Sequence, residues 1–178
     1  IFLGVFLAMA LSWHGMVVVP QVQLGRLQQT NVPPAGAQYP TLRSGVAQQG
    51  REVYRANGCY YCHTQQARGR AFGADIERGW GQRHSVATDF LFETPVMVGS
   101  LRAGPDLMTI GGRQPDAASQ MLHLYDPRIT AKGSTMPRYR FLFDKRKIGQ
   151  RPSLDALKLP GEFAPEAGYE IVPKPEAQ

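Results

Sequence analysis

Five consecutive residues, Cys59-Tyr60-Tyr61-Cys62-His63, limit what this chain can fold into more than any other feature. Two thiols three positions apart can each form a thioether to one porphyrin vinyl group, and the next imidazole then falls under the iron as proximal ligand. One covalently held c-type haem is therefore the expected cofactor, and the domain that carries it packs its core around the porphyrin. Cys59 and Cys62 are the only cysteines. A disulfide between them would close too short a loop to restrict the unfolded chain much. Zinc needs four ligands, and no second cysteine pair or H-x-x-x-H follows. A thioredoxin-like pair belongs at a strand-to-helix turn of a βαβ unit, a pattern the sequence lacks.

A c-type haem is attached outside the cytoplasm, and the N-terminus agrees with that compartment. Residues 1–19 carry no charged side chain and are mostly Ile, Phe, Leu, Val, Ala and Met. About 20 such helical residues cross a ~30 Å hydrocarbon layer. Pro20 is expected to end the helix. A cleaved signal peptide is the competing reading, but no charged n-region or small-residue cleavage site is evident. The chain begins at Ile1, already inside the apolar run, so it is expected to lack its true N-terminus. The cytoplasmic flank is then missing, and orientation rests on the haem alone. His14 lies in this helix without a second ligand beside it. It is expected to hydrogen-bond a neighbouring subunit or an interfacial group.

The division expected is an anchor over residues 1–25, a linker over 26–43 and a mono-haem domain over 44–178. Val32-Pro33-Pro34-Ala35-Gly36 and Tyr39-Pro40 read as extended linker. A helix begins at Ser44, which can cap it, and presents Val46, Val53 and Tyr54 on one face until Gly58 closes it before the haem motif. Residues 67–104 are rich in Gly and Arg and read as a long loop with one short helix near residues 84–90. A further helix is expected over residues 115–125, with Pro115 in its first turn and Met121, Leu122 and Tyr125 on one side. Asp126-Pro127 breaks it. The fold class is mainly α: one transmembrane helix plus a small class I-like cytochrome c domain with long loops.

The second axial ligand must come from six methionines and three remaining histidines. Met9, Met16 and His14 belong to the anchor. Met97, Met108 and Met121 lie among apolar residues and read as core. Met136 sits in Gly133-Ser134-Thr135-Met136-Pro137, a polar turn that offers a methionine no packing reason to be there. It is the expected distal ligand, with His84 and His123 as the competing candidates. His/Met ligation favours a high potential and electron transfer.

The chain resembles the membrane-anchored mono-haem subunit, subunit II, of cbb3-type cytochrome c oxidases. The resemblance runs from the anchor ending in Val19-Pro20 through Gly50-Arg51-Glu52-Val53-Tyr54 and Gly58-Cys59-Tyr60-Tyr61-Cys62-His63-Thr64-Gln65. It continues in Arg102-Ala103-Gly104-Pro105-Asp106-Leu107, in Gly111-Gly112-Arg113, in His123-Leu124 with Asp126-Pro127-Arg128, and in Ser134-Thr135-Met136-Pro137-Arg138-Tyr139. It implies that Cys59 and Cys62 hold the haem and that His63 and Met136 ligate its iron. It also implies that Arg102 and the Gly104–Leu107 turn flank the haem, with Pro105 near His63 and a backbone carbonyl fixing the imidazole tautomer. Arg68, Arg113 and Arg128 become candidates for haem propionate pairs.

The resemblance further implies an electron-transfer subunit with no oxygen site of its own. Its partners are a haem-copper catalytic subunit and either a further cytochrome c subunit or a soluble cytochrome c donor. Its place is the bacterial inner membrane, with the haem on the periplasmic side. The cytochrome c subunit of a nitric oxide reductase, a freestanding tethered shuttle and a gas-binding haem sensor are the alternatives.

The net charge of +6 is concentrated: residues 128–151 hold eight basic residues and one acid, Asp144. Nucleic acid is not the expected partner of a haem domain outside the cytoplasm. A basic face suits anionic lipid or an acidic subunit, and the net acidic residues 162–176 can fold back on it. A small cytochrome c normally closes with a helix, yet residues 152–159 offer two turns at most and residues 160–178 carry four prolines. The closing helix is expected beyond Gln178 or from another subunit, with truncation the favoured reason.

Overall fold

The computed structural model describes residues 1–32 and 36–175. They form two units, residues 1–42 with 85–96, and residues 43–84 with 97–178. The proline-rich centre of the expected linker, Pro33 to Ala35, lies outside the described residues.

The first unit begins with an apolar helix, Phe2–Gly25, long and apolar enough to cross a membrane. It consists of α1 (Phe2–Trp13), a π-helical stretch (His14–Val18) and α2 (Val19–Gly25). Pro20 does not end the helix, contrary to the sequence expectation. A proline inside a helix removes one donor and crowds the carbonyl four residues back. Here the i→i+5 stretch immediately precedes it, with the Val19 N–H on the His14 carbonyl, and Pro20 falls in the first turn of α2, where the missing N–H is tolerated. The same unit holds a short antiparallel hairpin, β1 (Thr30–Val32) with β2 (Ala37–Tyr39), whose flank Gln29 ties to the Pro40 carbonyl. The short helix expected near residues 84–90 is a single 3₁₀ turn, Ala87–Phe90.

The second unit carries the motif. Helix α3 (Gly45–Ala56) starts where expected, with the Ser44 hydroxyl accepting from the Ala47 N–H. Its buried face differs from expectation. Val46 in the first turn is 65 % exposed, and Arg51 is buried beside half-buried Val53 and Tyr54. Gly58 takes the left-handed conformation (φ 68°) that reverses the chain between α3 and the single-turn α4 (Cys59–Cys62). Then follow α5 (Ile110–Arg113), α6 (Ala117–Tyr125) and α7 (Pro127–Thr130). Asp116, not Pro115, starts α6: its carboxylate accepts from the N–H groups of Ala118 and Ser119.

The expectation of a mainly α domain needs correction at the C-terminal end. β3 (Phe143–Lys147) pairs antiparallel with β4 (Tyr169–Pro173), and no helix forms over residues 152–159. The hairpin closes the core. Phe143 and Ile171 from its two strands join Tyr125 and Leu142, with Val53, Met121, Leu124, Leu157 and Leu159 packed around them. Tyr125 and Phe143 meet edge to face at 5.4 Å. Residues 153–157 lie along the other edge of β4, with the Leu157 N–H on the Ile171 carbonyl and the Ser153 N–H on the Glu170 carboxylate. The acidic tail does fold back on the basic segment: Lys145 pairs with Glu166 and Arg146 with Glu170, and in the reverse sense the tail's Lys174 pairs with Asp144.

Candidate haem-binding site

Cys59 and Cys62 stand at i and i+3 of the one-turn α4, so both project to the same side. Both are free and half-buried. Burial pushes the Cys59 thiol up, against the hydroxyl of Tyr139 beside it. The His63 N–H closes the turn on the Cys59 carbonyl at 2.9 Å. Tyr54, nine residues earlier on α3, donates its hydroxyl to the His63 carbonyl. Sequence reasoning placed Tyr54 on a helix face and missed this link, for which no local pattern exists.

Residues 97–108 are laced onto the motif. The Gln65 N–H bonds the Met97 carbonyl, Leu101 bonds Tyr61, Gly104 bonds Cys62 and Leu107 bonds Thr64, all at 2.8–3.0 Å. Asp106, fully buried, accepts the Gln66 N–H at 2.9 Å and the Met108 N–H at 2.8 Å. These contacts carry the Pro105 carbonyl to within 2.9 Å of His63 Nδ1. A carbonyl only accepts, so Nδ1 holds the proton and Nε2 keeps its lone pair. The imidazole lies directly on Gly104. A Cβ there would sit 2.1 Å from His63 Cε1 and 2.6 Å from Nε2.

Arg102 stands at φ 47°, a conformation that costs a residue with a Cβ about 1–2 kcal/mol. Its guanidinium is committed to the fully buried Asp75 and to the Gln66 carbonyl, with Asp106 at 3.8 Å. The other arginines considered for propionates are engaged as well. Arg68 pairs with Asp75, Arg113 donates to the Asp106 carbonyl and Arg128 pairs with Asp126. Met97 is fully buried and Met121 packs on the core, as their apolar settings imply.

Met136 is half-buried in an irregular segment, its N–H on Ser134 Oγ at 3.3 Å. Three residues on, Tyr139 reaches Cys59. His123 bonds Thr130 Oγ1. Burial pushes the His123 pKa down, and the nearby His63 imidazole adds to that. His84 lies over Gly69, its Cβ 3.5 Å from where a Gly69 Cβ would be.

The donor set fits a haem iron. Two thiols share one turn, Nε2 of the following histidine is free to bind because Nδ1 is taken, and the glycine beneath leaves the ring room. The hydroxyl of Thr64, the next residue, is buried without a partner among the described residues.

The carboxylates give the fold a defined acid limit. Burial works against Asp75 and Asp126, but hydrogen bonds from Arg68 and Arg102 to the first, and hydrogen bonds from Arg128 and Arg140 with the charge of Arg138 at the second, outweigh it and hold both below the ordinary value. Bonds from Ser153, then Arg146, do the same for Glu170. Asp106 goes the other way, raised by burial. A lowered folded pKa contributes stability that is present above the unfolded value and lost as pH falls through the folded one. Glu52, bonded by Arg55 and Arg51, is lowered as well, and four groups against one predict a melting temperature nearly flat from neutrality to about pH 4, then falling steeply below it. Thermal unfolding across that range checks this; a melting temperature that rises on acidification would contradict it.

The model of a protein family described as "Cytochrome C oxidase, mono-heme subunit/FixO" matches residues 1–157. No curated protein matches the chain.

Proposed function

The chain belongs to the cytochrome c oxidase mono-haem subunit family, and from that premise we propose that it relays electrons through one covalently attached c-type haem to the oxygen-reducing subunit of a cbb3-type oxidase. The observation that carries this reading is the Pro105 carbonyl on His63 Nδ1. It fixes the tautomer that presents Nε2, directly after two free thiols on one turn.

When bound, the haem supplies a one-electron couple at its iron. Cys59 and Cys62 would hold the porphyrin through thioethers. His63 Nε2 and the Met136 thioether would bind its iron, a donor pair that favours the reduced state and a high potential. Asp106 fixes the turn that holds Pro105 and Gly104 against the imidazole. Tyr54 ties the His63 backbone to α3. Arg102 and Asp75 brace the same turn and stand near the haem as structural supports. The helix Phe2–Gly25 anchors the subunit in the bacterial inner membrane, with the haem domain in the periplasm. Its partners are the haem-copper catalytic subunit and a cytochrome c donor, soluble or a further subunit.

The test is whether haem stays on the polypeptide after denaturation in detergent. Wild type is expected to keep haem-linked peroxidase stain and to show a c-type reduced-minus-oxidised spectrum within a complex that also holds b-type haem. The double variant Cys59→Ala, Cys62→Ala is expected to lose the stain entirely. A wild-type chain that carries no covalent haem would sink the proposal.

A further inference from the structure

Residues 134–139 form no helix or strand, so nothing in regular secondary structure holds Met136 in place. Two residues further on, the chain is tied at three consecutive positions to the end of α6. Arg138 Nε lies 2.7 Å and Arg140 Nη2 3.0 Å from Asp126 Oδ2, and the Tyr139 N–H between them bonds the Leu124 carbonyl at 3.0 Å. The other carboxylate oxygen faces the start of α7, accepting the Arg128 N–H at 3.2 Å and its Nη1 at 3.4 Å. Asp126 is 0 % exposed.

Charge balance does not explain this convergence. One carboxylate neutralises one guanidinium, and three arginines meet here, so two positive charges have no counterpart within the cluster. What the arrangement fixes is geometry. A single buried carboxylate joins the α6–α7 corner to the segment just past Met136, and Arg140 also lies over the Tyr125 ring at 4.9 Å.

We propose that Asp126 is a positioning residue for the distal ligand: through Arg138 and Arg140 it sets the path of the segment that brings the Met136 thioether to the iron. The inference rests on the reading of Met136 as that ligand. The haem would remain attached without Asp126, because the thioethers and His63 lie on a different segment. The Met136 bond to iron would not.

The experiment uses the intact oxidase complex purified with each variant. The readout is the long-wavelength charge-transfer band of thioether-ligated ferric haem, scaled to covalent haem content. Other c-type haems of the complex can contribute to that band, so the share removed by Met136→Ala defines the signal of this site. Asp126→Asn is expected to keep the covalent haem, to lose the same share of the band and to let the reduced c-type haem take up carbon monoxide. Asp126→Glu is expected to restore part of the band. Asp89→Asn removes another buried carboxylate, one that accepts the Val86 N–H in the first unit, and is expected to leave the band intact.

A haem-loaded Asp126→Asn complex with its band unchanged overturns the proposal, as does an equal loss in Asp89→Asn. Where Asp126→Asn does not accumulate, Arg138→Gln decides by the same two outcomes. If Met136→Ala removes none of the band, the ligand assignment itself fails, which is distinguishable from failure of Asp126 alone.

Discussion

Gly104→Ala is expected to destroy normal ligation by His63. The added Cβ would fall 2.1 Å from Cε1 and 2.6 Å from both ring nitrogens. Neither side can yield cheaply. The ring is held by the Pro105 carbonyl at Nδ1 and by the Tyr54 hydroxyl on the His63 carbonyl. The residue-104 backbone is held by its own bond to the Cys62 carbonyl at 3.0 Å. Overpacking of this kind costs about 1–3 kcal/mol in a well-packed interior. Here the displaced group is the proposed iron ligand, so a shift of well under an ångström at the ring is enough to alter the spectrum.

The expected result is a chain with little haem, or with haem whose oxidised spectrum and potential no longer match wild type. Haem-to-protein ratio and a redox titration read it. Gly58→Ala is the contrast: there the demand is the positive φ, and the loss is about 1–2 kcal/mol of stability with the spectrum kept. A wild-type spectrum in Gly104→Ala would mean that the turn carrying Pro105 does not lie on His63 when haem is bound.

The contrast between those two glycines shows which parts of the site the sequence exposes. Gly58 is legible because a helix end followed by a motif turn calls for a left-handed residue. Ser44 is legible for the matching reason at the other end of α3. Gly104 is different. Its requirement is set by an imidazole 41 positions earlier in the chain, and spacing holds no trace of that contact; only the family resemblance pointed to this turn.

The same holds for Asp75, Asp106 and Asp126. Each is a fully buried carboxylate with at least one partner from a segment that no periodicity links to it. Arg68 and Arg128, candidates for propionate pairs in the sequence, also pair with Asp75 and Asp126, and Arg113 donates to the Asp106 backbone carbonyl. Pro20 misleads for a local reason: an i→i+5 stretch ahead of it removes the crowding that ordinarily ends a helix at proline.

β3 was hidden by its own composition. Phe-Asp-Lys-Arg-Lys has no alternation of apolar and polar residues, because its stability comes from the facing strand. Arg146 stands opposite Glu170 and is paired with it at 3.0 Å, and Lys145 lies 4.7 Å from the Tyr169 ring. A strand whose partner lies more than twenty residues away in a proline-rich segment carries no hairpin signature.

That hairpin yields the second large effect. Ile171→Ala is expected to lower unfolding stability by about 2–4 kcal/mol, a large part of what a domain of this size commands. Ile171 is 6 % exposed and shares its cluster with only three other buried residues, Tyr125, Leu142 and Phe143, so its loss leaves a hole in a core too small to redistribute it. The cost should not stay local. Tyr125 is the last residue of α6 and directly precedes Asp126, and the Leu142 carbonyl accepts from the Lys174 N–H just beyond β4. Loosening β4 therefore loosens the corner proposed to aim Met136. Denaturant titration of haem-loaded protein, followed at once by fluorescence and by the charge-transfer band, is expected to show the band failing first in Ile171→Ala. Stopping the chain after Leu157 removes β4 altogether and exposes the Phe143 edge, and no stable haem-loaded domain is expected from it. A truncated chain that folds and keeps wild-type ligation would show instead that the β3–β4 hairpin is an accessory to this core and not one of its walls.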